Sequence, residues 1–168
     1  LYFDTVQVPD ENLIGKEGEG FKIALATLDG GRIGIAAQAL GIAQASLNAS
    51  VSYSKERIQF GKPISINQAI QFKIADMAME IEAARLLVRQ AAWKKDQKQS
   101  YSHVASMAKV YASEVAMRAS TQCVQIHGGF GFMQESGIER LMRDAKITQI
   151  YEGTSEIQRL VIAKSVIK

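Results

Sequence analysis

Three short stretches carry side chains that a plain packed domain does not call for. Tyr151-Glu152-Gly153-Thr154-Ser155-Glu156 sets a carboxylate between an aromatic residue and a glycine, just ahead of a helical pattern. A loop carboxylate shielded from water is suited to general-base chemistry. Thr154 or Ser155 can cap the helix that follows, and its free N–H groups attract an anionic or polar ligand group. An ordinary exposed loop also accounts for these residues. Asp29-Gly30-Gly31-Arg32 breaks a helical pattern with two glycines, which admit a close ligand. A kink with an intrahelical Asp29–Arg32 pair at i,i+3 explains it too. Gln125-Ile126-His127-Gly128-Gly129 ends another helical run. Backbone beside glycine can approach an extended ligand, and His127 offers a ligand or an acid–base group. The alternative is a glycine C-cap with a His favoured by the helix dipole.

The elements that must position these residues are mostly helical. The pattern runs from Phe21 to Arg57, weakened at Gly30-Gly31, where each glycine costs about 1 kcal/mol against alanine. Ile33–Leu47 is apolar nearly all round, which predicts burial on every side, more than one small bundle can supply, and so implies oligomerisation or a further domain. Ile33 to Ser54 holds no charged residue, yet Gln38, Gln44, Ser46, Asn48, Ser50 and Ser52 argue against a membrane span. Phe60-Gly61-Lys62-Pro63 breaks the chain. A second helix is expected from Ser65 as N-cap. Its apolar positions Ile66, Ile70, Ile74, Met77, Ile81, Ala84, Val88 and Ala91 step by three and four, as in a bundle seam. A third is expected from Ser102, with Val104, Ala108, Tyr111, Val115, Ala119, Cys123 and Ile126 on one face, stopping at Gly128-Gly129. Phe130–Met133 reads as a loop and Gly137–Ile147 as a short helix. A last helix starts at Thr154 or Ser155, with Ile157, Leu160, Val161 and Ile167 inward. Residues 1–8 read as a strand, and Gly15–Gly20 as a flexible joint. This predicts an all-α, antiparallel up-down-up-down four-helix bundle with an appended short helix.

Composition narrows the classes. The chain has 168 residues, 47% apolar and 22% charged, with a net charge of +3. That excludes a disordered chain and gives no nucleic-acid footprint. A lone Cys123 excludes an intramolecular disulfide, and two histidines with one cysteine give no metal-binding set. The start at Leu1-Tyr2-Phe3, without Met, leads us to expect that the chain was cut from something longer. Residues 1–15 would then be the end of a preceding β-domain and its linker, and 16–168 a C-terminal helical domain.

Taken together, the residues resemble the C-terminal domain of the acyl-CoA dehydrogenase family, most like its short-chain, butyryl-CoA-type members. The carriers are the FDTVQVP start, ERIQFGKPI, QIHGGFGF, RDAKITQIYEGT and SEIQ, in the family's order and across essentially the whole chain. The resemblance implies an FAD enzyme that oxidises an acyl-CoA thioester to the trans-2-enoyl-CoA. It assigns the catalytic base to Glu152, whose backbone N–H helps polarise the thioester oxygen. Some members carry the base at the position of Gly31, so this chain fits the Glu152 group.

The resemblance implies further roles. Asp29, Gly30, Gly31, Arg32 and Gly153 would line the acyl-CoA. Arg57 would pair with the FAD pyrophosphate of a neighbouring subunit, with Gln59, Phe60 and Gln68 in the same region. Gln125, Ile126, His127, Gly128 and Gly129 would wrap the adenosine–pyrophosphate end. Thr154, Ser155 and Glu156 would contact the cofactor at the last helix. The family implies a homotetramer or dimer built on these bundles. It also implies an electron transfer flavoprotein as acceptor, and a bacterial cytoplasm or mitochondrial matrix as compartment. An acyl-CoA oxidase, or an interaction module without catalysis, is the alternative. The chain taken alone would lack turnover, having only part of the flavin site.

Overall fold

The computed structural model describes residues 1–167. Three long helices dominate: α1 (Gly20–Glu56), α2 (Gln68–Asp96) and α3 (Ser102–His127). Three shorter ones follow: α4 (Gly129–Phe132), α5 (Ile138–Thr148) and α6 (Ser155–Val166). Side-chain pairs fix the directions. Ser102 at the start of α3 meets Asp29 near the start of α1, and His127 at the end of α3 stacks on Tyr53 near the end of α1. Arg118 of α3 meets Glu80 of α2, and Lys73 reaches Gln122, so α2 runs the other way. The all-α bundle is therefore as expected, with α1, α2 and α3 running up, down and up.

The centre of the molecule is α3, which packs on α1 and α2 and also on α5 and α6. Its composition permits this. Ala105, Ala108, Ala112, Ala116 and Ala119 are essentially fully buried, with Ser106, Ser113 and Ser120. Small side chains let neighbouring backbones approach on more than one side, and the serines cap their own polarity. Ser113 and Ser120 donate to the carbonyls of Val110 and Met117. The expected single face of α3 is thus too narrow: Val104, Ala108, Val115, Ala119, Cys123 and Ile126 are buried, but so is a second face, and Tyr111 is only half-buried.

The α2 seam holds from Met77 to Ala91, where Met77, Ile81, Ala84, Val88 and Ala91 are buried. Ile70 and Ile74 are partly buried and Ile66 is exposed, because it precedes the helix in a 3-10 turn, Ile64–Ile66. Ser65 is not the N-cap; Asn67 takes that position. The break before it is a small hairpin, with Ile58 opposite Pro63 and Gln59 opposite Lys62. Phe60 and Gly61 at its tip both have positive φ, 51° and 78°, the conformation a tight two-residue hairpin turn requires.

Leu1–Val8 is exposed and irregular, and no strand among the described residues lies beside it to supply the pairing expected of a preceding β-domain. Within this chain Ile33–Leu47 is covered on one side only, as expected of a helix that one small bundle cannot enclose. Ala36, Ala39, Ala43 and Ser46 face the core, while Gly34, Ala37, Gly41 and Ala45 face out, where nothing in this chain packs on them. Two further expectations are corrected, those for α6 and for Phe130–Met133. In α6 the buried residues are Ser155 and Gln158, whereas Ile157, Leu160 and Ile167 are exposed. That helix turns its polar side inward because the inward side is where the site lies. Phe130–Met133 is not a plain loop, since Gly129–Phe132 makes one helical turn.

On α2, Phe72, Met79, Leu86 and Trp93 recur every seven residues and are each more than half exposed. No helix among the described residues is long and apolar enough to cross a membrane. Core and stripe should differ sharply on truncation. Ile81→Ala, at 2% exposure, should cost about 2–5 kcal/mol in denaturant unfolding of this chain. Leu86→Ala, at 59% exposure, should cost well under ~1 kcal/mol at concentrations where the chain is monomeric.

Candidate active site

The loop between α5 and α6 presents Glu152. Tyr151 N–H still closes the last turn of α5 on Ile147 O, at 3.2 Å, and Ser155 N–H returns to Gln149 O at 3.0 Å. Between those two anchors the backbone turns over. Glu152 has φ 55° and Gly153 φ 85°. Glycine takes the left-handed region freely, but a glutamate there costs about 1–2 kcal/mol. Two buried donors hold this shape. Lys109 Nζ donates to Gly153 O at 2.8 Å, and Gln158 Nε2 donates to the same oxygen at 2.9 Å and to Glu152 O at 3.1 Å. The Glu152 N–H meets no acceptor among the described residues.

The result is a carboxylate laid against the side of α1. A methyl group built on Gly31 would stand 2.5 Å from Glu152 Oε2 and 2.9 Å from its carboxyl carbon. Only a residue without a side chain leaves that space. Gly30 is also close-packed, with Lys95 Nζ at 3.0 Å from where its Cβ would be. Arg32 follows, 6% exposed, paired with Asp29 and within 3.4 Å of Ser106 Oγ. Asp29 is itself fixed by Ser102 Oγ at 2.9 Å. The Asp29–Arg32 pair is thus real, and it sits in the site rather than on a solvated kink.

Among the described residues, three buried side-chain atoms lack a hydrogen-bond partner: Arg32 Nε, Glu152 Oε2 and Gln158 Oε1. All three belong to this cluster. Buried polar atoms are almost always satisfied, so a group of orphans marks where a ligand makes the missing bonds. Charge is concentrated here as well. Burial pushes the Lys109 ammonium down from 10.5 to about 8; Arg32 adds to this, while Glu156 and Glu152 oppose it. Thr154 caps α6, accepting from Ile157 N–H at 3.4 Å. Glu156 is exposed, and its own backbone N–H and the Thr154 hydroxyl hold its carboxyl below the usual range.

A second cluster lies at the far ends of α1 and α3. Arg57, Ile126, His127, Gly128 and Gly129 line an open cleft of about 600 Å³ with Tyr53, Gln59, Ile64 and Phe130. His127 is 6% exposed, donates from Nδ1 to Cys123 O at 2.8 Å, and stacks on Tyr53 with ring centres 4.2 Å apart. Burial raises the neighbouring Cys123 thiol. Gln125 is exposed on the last turn of α3. The structure does not bring Phe60 or Gln68 into the cleft; Phe60 stands fully exposed at the hairpin tip, and Gln68 is exposed at the start of α2. From Gly31 to Tyr53 is 22 residues of helix, about 33 Å at the helical rise, so the two clusters are well separated.

Residues 18–167 match the family model "Acyl-CoA dehydrogenase, C-terminal domain". The chain belongs to the acyl-CoA dehydrogenase family. It is 59% identical, over its whole length, to the probable acyl-CoA dehydrogenase YngJ of Bacillus subtilis, covering 44% of that protein. It superposes on butyryl-CoA dehydrogenase of Megasphaera elsdenii with a TM-score of 0.98 and 57% identity, covering 99% of this chain and 43% of that one. A chain in the structure of the electron transferring flavoprotein of Acidaminococcus fermentans gives a TM-score of 0.97 and 58% identity, covering 99% of this chain and 44% of that one. The chain thus spans less than half the length of these relatives.

Lys109 and Gln158 were not singled out from the sequence. The signal for Lys109 was a cation spaced among Ala105, Ala112 and Ala116, outside the one apolar face expected of α3. For Gln158 the expected inward set on α6 pointed to the wrong side. Gly31→Ala should leave the fold intact, since alanine favours a helix by about 1 kcal/mol and the clashing atom ends a flexible side chain. A crystal structure of that variant should show the Glu152 carboxylate displaced from α1.

Proposed function

We propose that this chain provides the catalytic base and part of the FAD site of an acyl-CoA dehydrogenase, with Glu152 as the base. The buried, unpartnered Glu152 Oε2 facing the bare backbone of Gly31 carries the reading. A carboxylate in that setting has one oxygen available to a proton and no competing donor. Its target is the α-proton of an acyl-CoA thioester, a weak carbon acid. The α C–H bond breaks to Glu152, and its electron pair becomes the C–C double bond as the β-hydrogen departs as hydride. The chemistry supplied by FAD when bound is acceptance of that hydride. The Glu152 N–H is free to donate to the thioester oxygen as charge develops there, which lowers the barrier to α-proton loss. Gly31 leaves room for the Glu152 carboxylate beside α1, and the loop anchored on α3 holds the base in register with the acyl chain.

The donor chemistry of both clusters fits FAD. Arg57 beside the glycine backbone at Gly128-Gly129 suits a diphosphate, because a guanidinium forks onto phosphate oxygens and glycine backbone approaches closely. Thr154, Ser155 and Glu156 lie next to the base, at the other end of α1. A separation of about 33 Å along one helix favours contacts with two different flavins, one of them held by a second subunit. The heptad stripe Phe72, Met79, Leu86 and Trp93 supports a homo-oligomer, a tetramer or a dimer. A short-chain acyl-CoA substrate and an electron transfer flavoprotein as acceptor complete the proposal, supported by the relatives named above.

In the full-length parent enzyme, Glu152→Gln should retain flavin absorbance and lose turnover at least about a hundredfold; near-normal turnover would sink the assignment. Purified 168-residue chain incubated with FAD and butyryl-CoA should show no oxidation, and robust flavin-dependent turnover by it would contradict the proposed division of the site.

A further inference from the structure

Lys109 stands out because nothing in the proposed chemistry uses it. It is 0% exposed in the middle of the most buried helix, where lysine is rarely tolerated unpaired. Its ammonium is not in an ion pair with any carboxylate among the described residues. Instead it donates to a backbone carbonyl, Gly153 O, at 2.8 Å. That carbonyl belongs to the turn that aims Glu152. The same oxygen receives Gln158 Nε2 at 2.9 Å, so two donors from two helices grip one point of the loop. The grip matters because Glu152 has φ 55°, a conformation glutamate does not choose by itself. A strained residue persists only where its surroundings over-determine it.

We propose that Lys109 is a positioning residue for the reaction: its bond to the Gly153 carbonyl, shared with Gln158, locks the Glu152–Gly153 turn so that the carboxylate lies against Gly31. This rests on the reading of Glu152 as the base. Lys109 need not touch the substrate or the flavin, and it acts through the loop. A salt bridge to Glu152 would have pulled the carboxylate away from α1 and spent the base. Holding the carbonyl one residue on keeps the loop fixed and leaves Glu152 Oε2 unpartnered. The charged groups around the ammonium are Arg32, which repels it, and Glu156 and Glu152, which attract it. Their balance keeps the cation in place without a direct pair.

The test separates anchoring from chemistry. Lys109→Met keeps the side-chain volume and removes the donor; Lys109→Gln serves if the first variant does not fold. Hydrogen–deuterium exchange on this chain reads the loop directly. Exchange across Tyr151–Ser155 should rise about tenfold or more, the loss expected for one charged hydrogen bond, with α1 to α3 unchanged. In the full-length FAD-loaded enzyme, kcat for butyryl-CoA should fall about tenfold to a hundredfold with KM within about threefold, the pattern of a misaimed base. Unchanged exchange in the loop, or unchanged kcat, overturns the proposal. So does a general rise in exchange with kcat and KM damaged together, which marks a core residue only. If Glu152→Gln in the same enzyme keeps its turnover, the base assignment fails, and the loop exchange alone then judges the anchor.

Discussion

The Glu152 carboxylate occupies the space that a methyl group on Gly31 would fill, and much of the molecule is arranged around that contact. A carboxylate cannot be pressed against a helix unless the helix has a gap and the loop carrying the acid is held in an unfavourable shape. The gap is a glycine in α1, tolerated at a cost in helix propensity. The shape is a left-handed glutamate, kept by Lys109 and Gln158. Neither feature stabilises the bundle. Both are local departures from good folding practice, and departures of this kind gather at sites that act.

The bundle can support them because its centre is dense and small-grained. α3 is surrounded by α1, α2, α5 and α6, and its alanines and serines let each neighbour come close. A rigid central helix is a good place to mount an anchor, since little about it can shift. Asp29 and Arg32 are tied to the same helix through Ser102 and Ser106, so α1, α3 and the Glu152 loop form one braced unit. The three orphaned polar atoms sit within that unit, while the rest of the buried polar side chains are satisfied among the described residues. Polar inconsistency is confined to the place where a ligand can resolve it.

The apolar surface follows the same economy. Gly34, Ala37, Gly41 and Ala45 of α1, the seven-residue stripe of α2, and Ile157 and Leu160 of α6 all face out of this chain. A sequence pattern cannot say which apolar side of such a helix meets its own chain. Both sides of α1 read alike, because alanine and glycine serve equally for packing inward and for packing against something else. For α6 the error was sharper: hydrophobicity pointed Ile157 and Leu160 inward, whereas the side facing α3 carries Ser155 and Gln158. The inward side of α6 serves the site, and its apolar residues lie on the other side.

By itself the sequence determined the helices, their order and most of their ends, because periodicity, Gly128-Gly129 and the Thr154 cap are local signals. It also singled out Glu152 as a candidate base, through the resemblance that the motifs around it carry. What it could not determine was which distant groups meet. Gly31 and Glu152 are 121 positions apart, and no local rule sets a missing side chain on one helix against an acid on a loop. Lys109 lies outside the one apolar face expected of α3, and only the folded chain shows that the helix bearing it is buried on both faces. The N-terminal segment shows the same dependence: a strand forms only beside a partner, and no strand among the described residues lies next to Leu1–Val8. Tertiary packing decided these points because they depend on which surfaces are brought together, and only the folded chain does that.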